Sequence, residues 1–438
     1  MPVNQTEDLL EFIKNRNKEI FVKINKCNLS DSDNWFYDKS AGEIRNKNRS
    51  FFQIKGLKKY KNGECVLQQP VIIQDEIGFL GIVCCMIDGQ MHYLMQAKIE
   101  PGNINNIQLS PTIQATKSNF TQKHGGKKPE YLDCFLNVKN ENIIVDQIQS
   151  EQSSRFYKKR NRNIIIEVDS PVEALENYKW MTLKQIKELM RYDNLVNMDA
   201  RTVLSCIPVE KMKRMGEFKD EAFLKSTEYA DSQSVFNSVT HCLNDIKMFD
   251  DDKVELVPLD EISNWNISDK EIVCNSPYSF KVVFCDIEIE GREVRKWTQP
   301  LFEATGTATF GLFTCVDEGV RKFLVKAKKE AGCFDSVELG PTVQREYINT
   351  DTLNKVDILF NQKSDAKENI IFDTMLSEEG GRFYHEENRN IIIEIDKNET
   401  GDLPEGYFWA DYKTLNRFIS VNNCLNIQLR NLLSVLEW

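Results

Sequence analysis

The chain has 438 residues, with 67 Asp and Glu against 56 Lys and Arg, a formal charge of -11. That length exceeds one ordinary core and points to two domains, while the acidic balance argues against a general nucleic-acid or anionic-membrane binder. No stretch reaches the ~20 apolar residues of a membrane span, and Met1 to Leu10 is too polar for a secretory signal, so a cytoplasmic protein is expected.

Along the chain, VIIQDEIGFLGIVCCMIDGQMHYLMQAKIE, from Val71, reads as two strands around a turn at Asp88-Gly89. NIIIE at Asn163 is a short apolar run bounded by polar residues, typical of a covered strand. TLKQIKELMRY, from Thr182, has helical spacing. Pro208 to Phe249 is mostly polar and includes the helix-compatible EAFLKSTEYADSQSVFNSVTHCLNDI; it reads as a helical connection whose exposed end is Asp250 to Asp252. IIIEI at Ile391 is a second covered strand, and NIQLRNLLSVLEW, from Asn426, a last helix.

The chain is a duplication. QAKIEPGNINNIQLSPTIQ, from Gln96, aligns with VKAKKEAGCFDSVELGPTVQ, from Val325, so that Glu100 meets Glu330, Gly102 meets Gly332 and Gln114 meets Gln344. Asn34-Trp35 meets Asn264-Trp265, Gln69-Pro70 meets Gln299-Pro300, and Trp180 meets Trp409. SEQSSRFYKKRNRNIIIE at Ser150 meets SEEGGRFYHEENRNIIIE at Ser377, and NLVNMDARTVLSCI at Asn194 meets NCLNIQLRNLLSVL at Asn423. A unit of roughly two hundred residues is a domain and not a solenoid module. The division expected is a first repeat over 1–207, a helical linker over 208–249 and a second repeat over 250–438, each repeat a mixed α/β sheet with helices packed on it.

The twelve cysteines include no CxxC pair, and the four histidines (His92, His124, His241, His385) have no metal-ligand spacing, so neither a disulfide scaffold nor a zinc site is expected. His92 and His124 read as structural. No GxGxxG occurs in a strand-to-helix setting.

The paired tryptophans, QAKIEPGN, LSPTIQAT, SEQ…RF…KRNRN, VELGPTVQ and SEEGGRFYHEENRN together resemble the NDP-hexose 2,3-dehydratase family over essentially the whole chain. The resemblance implies a tandem pair of Nudix-like domains and a homodimer. It implies a carbon–oxygen lyase acting on a nucleotide-linked 4-keto-6-deoxy sugar such as dTDP-4-keto-6-deoxyglucose, in deoxysugar biosynthesis. There the 4-keto group acidifies the C3 hydrogen, a base removes it, hydroxide leaves from C2, and a 3,4-diketo-2,6-dideoxy sugar results. The ketone is the electron sink, so no cofactor and no metal are expected. The glutamates of a working Nudix hydrolase box are not written here: beside Glu378-Glu379-Gly380-Gly381, Thr374-Met375 stands where Arg-Glu belongs. Alternatives are a nucleotide-sugar-binding protein without catalysis and, less well supported, a Nudix-type pyrophosphatase.

Such chemistry needs a base near C3, donors for the enolate oxygen and an acid at C2. RFYHEEN, from Arg382 to Asn388, supplies His385, Glu386 and Tyr384 as candidate acid–base groups; the alternative is a charged loop facing solvent. Where the second copy has His385, Glu386 and Glu387, the first has Lys158, Lys159 and Arg160, suited to a diphosphate or to plain solvation. Arg155, Arg162, Arg382 and Arg389 suit phosphate, or an ion pair to Glu167 or Glu394 within the domain. The resemblance places Trp35 and Trp265 as platforms for the nucleotide, against the alternative of core tryptophans. It also places the loops of Thr116, Ser118, Asn119, Phe120 and Thr121 and of Gln344, Arg345 and Glu346 at sugar-nucleotide pockets, where alone they would read as turns. Ser154, Arg382, Phe383 and Glu387 are further substrate-binding candidates, Glu387 also a proton acceptor if buried. Glu100 and Glu330, present in both copies, read as structural.

Overall fold

The structure is a computed structural model that describes residues 3–49, 51–120, 128–216, 218–229, 232–291, 294–349 and 351–437. Asp88 and Gly89 both have positive φ (49° and 77°), and their turn joins the antiparallel strands Gly78–Ile87 and Gln90–Ile99. Glu318-Gly319 repeats this turn (52° and 76°) between Thr309–Asp317 and Val320–Lys329.

Each hairpin is the centre of a mixed seven-stranded sheet. In the first repeat the order is Ile143–Ser150, Arg160–Glu167, Gly78–Ile87, Gln90–Ile99, Tyr178–Thr182, with Ile107–Ser110 and Ile113–Ala115 paired beside the hairpin. The second repeat matches strand for strand: Ile370–Ser377, Glu387–Glu394, Thr309–Asp317, Val320–Lys329, Tyr407–Asp411, with Val337–Gly340 and Val343–Arg345 beside them. The IIIE runs are apolar throughout because both sheet faces are covered. Ile165 and Ile392 face the main core, while Ile164, Ile166, Ile391 and Ile393 face outer clusters. On those outer faces Phe135 and Phe360, from helices Leu132–Leu136 and Lys355–Ala366, lie over Gly81 and Gly311, where a Cβ would meet the rings at 2.6 and 2.0 Å.

Two smaller sheets pack face to face in one core that includes Trp35, Phe52, Phe156, Trp265, Phe280 and Phe383. Here the repeats exchange strands. Val22–Cys27, from the first repeat, pairs antiparallel with Phe280–Ile289 of the second, Val22 opposite Ile289 and Cys27 opposite Phe284. Lys253–Val257, from the second, pairs in return with Gln53–Lys61 of the first, Lys253 opposite Tyr60 and Val257 opposite Gly56.

Residues 208–249 hold the helices Val209–Met215, Glu221–Glu228 and Ser232–Met248. The last packs on Val337–Gly340 as the N-terminal helix Thr6–Glu19 packs on Ile107–Ser110. The acidic run after it is not the exposed marker its composition suggests. Asp252 bonds Lys59 of the first repeat (2.9 Å) and Lys329 of the second (2.7 Å), and Asp250 bonds Lys329. Helices Met198–Ser205 and Ile427–Ser434, N-capped by Asn197 and Asn426, pack against each other between the two large sheets.

The copies also meet at two equivalent loops. Gly102 N donates to Gly380 O at 2.7 Å, and Gly102 O accepts from His385 N at 2.8 Å. Reciprocally, Gly332 N donates to Ser153 O at 3.0 Å, and Gly332 O accepts from Lys158 N at 2.8 Å. A Cβ on Gly102 would stand 1.5 Å from Phe383 O, and one on Gly332 1.9 Å from Phe156 O, so only glycine allows these backbones to touch. Gly102→Ala is therefore expected to lower the unfolding free energy by about 1–3 kcal/mol or more, read as a shifted midpoint in urea denaturation. A midpoint equal to that of the unsubstituted protein would show that the loops separate at no cost.

Candidate active site

The duplicated S-E-x-x-x-R-F-Y motif builds its local structure from its own side chains. Glu378 N donates to Glu386 O at 3.0 Å, closing a hairpin mouth, and Asn388 Nδ2 donates to Glu378 Oε1 at 2.6 Å. In the first copy Glu151 N donates to Lys159 O at 3.0 Å, and Asn161 Nδ2 donates to Glu151 Oε2. Lys158 and His385 have positive φ, 53° and 49°, so each faces out while the next residue, Lys159 or Glu386, turns inward and is buried. Each copy is held by an arginine of the other repeat: Arg430 Nη2 donates to Ser150 O at 2.5 Å, and Arg201 Nη2 to Ser377 O at 2.6 Å.

Two polar junctions result, and each draws on both motif copies. At the first, Glu100 Oε1 accepts from Gln114 (3.1 Å) and pairs with Lys98 (3.0 Å), while Gly380 and Gly381 pack against the Glu100 side chain. Arg382 lies 4.3 Å from the Phe52 ring centre and donates to Gln74 at 3.2 Å. Lys159 donates to Glu76 O at 2.5 Å. Burial lowers the Lys159 pKa to about 8 and raises that of Glu151 to about 8, Glu379 adding to the latter. Burial also raises Asp199, which faces Glu151, Glu379 and Glu100.

At the second junction Glu330 Oε1 accepts from Gln344 (3.0 Å), whose Oε1 accepts from Asn426 (2.7 Å). Arg155 lies 4.2 Å from the Phe280 ring centre and donates to Glu346 Oε2 at 2.8 Å. The Tyr278 hydroxyl donates to Gln69 at 2.7 Å, and Gln69 donates on to Ser154 O at 2.8 Å. Burial pushes Glu386 up to about 8, opposed by Arg155 and reinforced by Glu378 and Glu346. Burial pushes Glu378 up to about 7, opposed by Arg201 and Asn388. Buried oxygens of Glu330, Glu378, Glu386 and Ser154 and Nε of Arg155 have no hydrogen-bond partner within the protein. Glu151, Gln152 and Arg382 likewise keep one such atom each at the first junction, capacity that water or a polar ligand can satisfy.

The sequence candidates thus divide. Ser154, Gln344, Glu346 and Glu386 meet at the second junction, and Arg382 stands at the first. His385 and Tyr384 do not join Glu386: their rings stack on each other at 4.2 Å, beside Lys26 of the exchanged strand and Glu303. Arg345 points to the outer helix, donating to Asn361 at 3.0 Å, because neighbours on a strand face opposite ways. Phe120 packs on Phe79 at 4.9 Å on the outer face. Thr116 accepts Phe120 N through its carbonyl, and Ser118 and Asn119 stand on the helix Lys117–Phe120. Thr121 and His124 lie outside the described residues. Trp35, Trp265 and Phe383 are buried in the small-sheet core, the Trp265 indole donating to Gln68 O at 2.9 Å. Glu387 accepts from Asn194 at 2.5 Å. Arg162 and Arg389 form ion pairs within their repeats, but with Asp146 and Asp373; Glu167 and Glu394 are taken by Arg214 and Arg321. Buried His92 accepts from Val3 N and is structural.

The residues that sequence reasoning passed over are Glu378, Asn388, Arg201 and Arg430. Their signal was recurrence, since Glu151, Asn161, Arg430 and Arg201 occupy matched positions in the two copies.

Four buried carboxyls, Glu151, Glu338, Glu378 and Glu386, titrate at about 7 to 8 in the folded chain against an ordinary 4.5, burial being the first cause in each. The folded state then binds their protons more tightly, so their stabilisation is full below about pH 4.5 and is lost as pH rises through 7 to 8. His92 and His385, lowered by burial, oppose this over part of the range, while Asp199, Glu330, Glu379 and Asp411, also raised by burial, add to it. Melting temperature is expected to fall from about pH 5 to about pH 7, less steeply in Glu386→Gln; a steady rise over that window would contradict these environments.

A profile of the NDP-hexose 2,3-dehydratase family matches residues 6–207 and again 237–436, one match per copy. The second begins inside the helix Ser232–Met248, the structural equivalent of Thr6–Glu19. A dTDP-4-dehydro-6-deoxy-alpha-D-glucopyranose 2,3-dehydratase of Streptomyces violaceoruber is 37% identical over 418 residues, covering 94% of this chain and 92% of that protein. Proteins of the same name from Saccharopolyspora spinosa (37%, covering 92% and 85%) and Amycolatopsis orientalis (33%, covering 99% and 90%) align as fully. With both copies matched and the motifs at the junctions shared by the duplication, the chain belongs to the NDP-hexose 2,3-dehydratase family.

Proposed function

We propose that the chain is an NDP-4-keto-6-deoxyhexose 2,3-dehydratase, with dTDP-4-keto-6-deoxyglucose or a close relative as substrate. The observation that carries the reading, beside family membership, is the buried carboxyl of Glu386 facing Arg155 and Glu346 among orphaned polar atoms. A carboxyl held near neutral can take or give a proton at physiological pH. Glu386 works on the hydrogen at C3 or the hydroxyl at C2, with Arg155 and Tyr278 as donors toward the oxygen at C4, where enolate charge develops. The substrate's own ketone accepts the electrons, so the route needs neither a hydride carrier nor a metal.

Gln344, Glu346 and Ser154 hold the sugar end in this reading, and Arg382 with Lys159 offers cations at the other junction. A homodimer and a cytoplasmic location belong to the same proposal; among the described residues no helix is long and apolar enough to cross a membrane.

Incubation with dTDP-4-keto-6-deoxyglucose in deuterated buffer, with a 3-ketoreductase to trap the unstable diketone, tests the reading. The expected product has lost the 2-hydroxyl and carries solvent deuterium. Release of nucleotide without deoxygenation would make the chain a pyrophosphatase, and binding without turnover a sugar-nucleotide-binding protein.

A further inference from the structure

Removing water across C2 and C3 takes one base and one acid, and at the hairpin mouth two buried carboxyl residues, Glu378 and Glu386, face each other. Asn388 donates to Glu378 at 2.6 Å, and Glu386 stands two residues before it on the same strand face. The backbone bond Glu378 N to Glu386 O fixes the two residues across the hairpin mouth. Oε2 of each is buried without a partner within the protein, while Oε1 of Glu378 is held by Asn388. Arg155 and Glu346 face them from the other motif copy and the strand end, Arg201 faces Glu378 from the helix Met198–Ser205, and Glu151 is next in range of Glu378. Glu330, with Lys328 beside it, faces Arg155 and Glu346 in turn.

We infer that Glu378 and Glu386 share one proton and work as the acid–base pair of the elimination, an assignment that rests on the dehydratase reading above. Two adjacent buried carboxylates repel, so one keeps its proton while the other stays ionised. The ionised member takes the C3 proton, and the C–H electron pair becomes the C3–C4 double bond of the enolate. As the C4 carbonyl re-forms, the C2–O bond breaks toward the oxygen, which takes the proton of the neutral member and leaves as water. The pair ends with one proton, as it began, and the C2–C3 enol tautomerises to the diketone.

The equivalent place in the other copy lacks this capacity. Asn161 holds Glu151 in the same way, but Lys159 replaces Glu386. The facing pair at that hairpin mouth is thus a carboxyl and an amine, which between them do not supply both an ionised carboxylate and a neutral carboxylic acid.

The test compares the full-length protein with Glu378→Gln and Glu386→Gln in the trapped assay between about pH 5 and 9, with binding of the nucleotide sugar and melting temperature as controls. The full-length protein is expected to give a bell-shaped kcat/KM profile. Each variant is expected to lose one limb and about 100-fold or more in kcat, with binding kept within a few-fold. If a Gln variant does not fold, the shorter Asp at the same position keeps the carboxyl and is expected to retain both limbs at reduced kcat. A variant that keeps both limbs, or turns over within about threefold of the parent, overturns the pairing. An unsubstituted protein that binds the sugar but never removes the 2-hydroxyl overturns the dehydratase reading itself, and the pairing with it.

Discussion

The contact on which the rest depends is backbone against backbone, Gly102 on Phe383 and Gly332 on Phe156. No side chain fits between these chains, so the loop that carries each S-E-x-x-x-R-F-Y copy is set in place by the opposite repeat. The two inward-turning residues, Lys159 and Glu386, take their positions from that constraint, because the residue before each donates its backbone N–H to the touching glycine. Arg201 and Arg430 then tie the start of each motif to the opposite repeat's helix. Strand exchange serves the same end. Val22–Cys27 and Lys253–Val257 each complete the other repeat's small sheet, so the surfaces behind the loops cannot move apart without breaking ladders in both.

Much of this was legible in the sequence, and the part that was not has a physical reason. Asp88-Gly89, the IIIE strands and the capped helices follow from turn chemistry and pattern, which are local. The exchange was not legible because the two copies are equivalent: a strand from either repeat satisfies either small sheet, and only the three-dimensional path selects one. The HEE stretch was half legible. Its three residues look alike as a charged run, yet the left-handed backbone at His385 sends that ring out to Tyr384 and turns Glu386 in. Residue type alone does not report such a switch, which is why His385 attracts attention and Glu378, 7 positions earlier in the matched motif, does not. The same holds for Arg345, whose strand neighbours Gln344 and Glu346 face the junction while it faces the outer helix.

The junctions contradict the rule that a core should be apolar. Charges at Glu100, Glu151, Glu330, Glu378, Glu386, Arg155, Lys159 and Asp199 are withdrawn from water, and burial drives many of them toward neutral. Several keep one polar atom without a partner, a costly arrangement that packing alone does not explain. The apolar cores around them, above all the aromatic cluster of the small sheets and the isoleucines of the large ones, supply the stability against which this strain is held.

Because each junction takes residues from both motif copies, a dimer of identical single repeats would have two identical junctions. Any change that improved one for proton transfer would alter the other in the same way. Covalent duplication removes that restriction: the position that is Lys159 in one copy is Glu386 in the other, Asp199 faces one junction while Gln428 occupies its place at the other, and Thr116 answers to Glu346. Each difference changes charge or proton capacity while leaving the hydrogen-bonded frame of Asn161 or Asn388 intact. The frame is symmetric because the fold requires it, and the chemistry is asymmetric because one chain now encodes both halves.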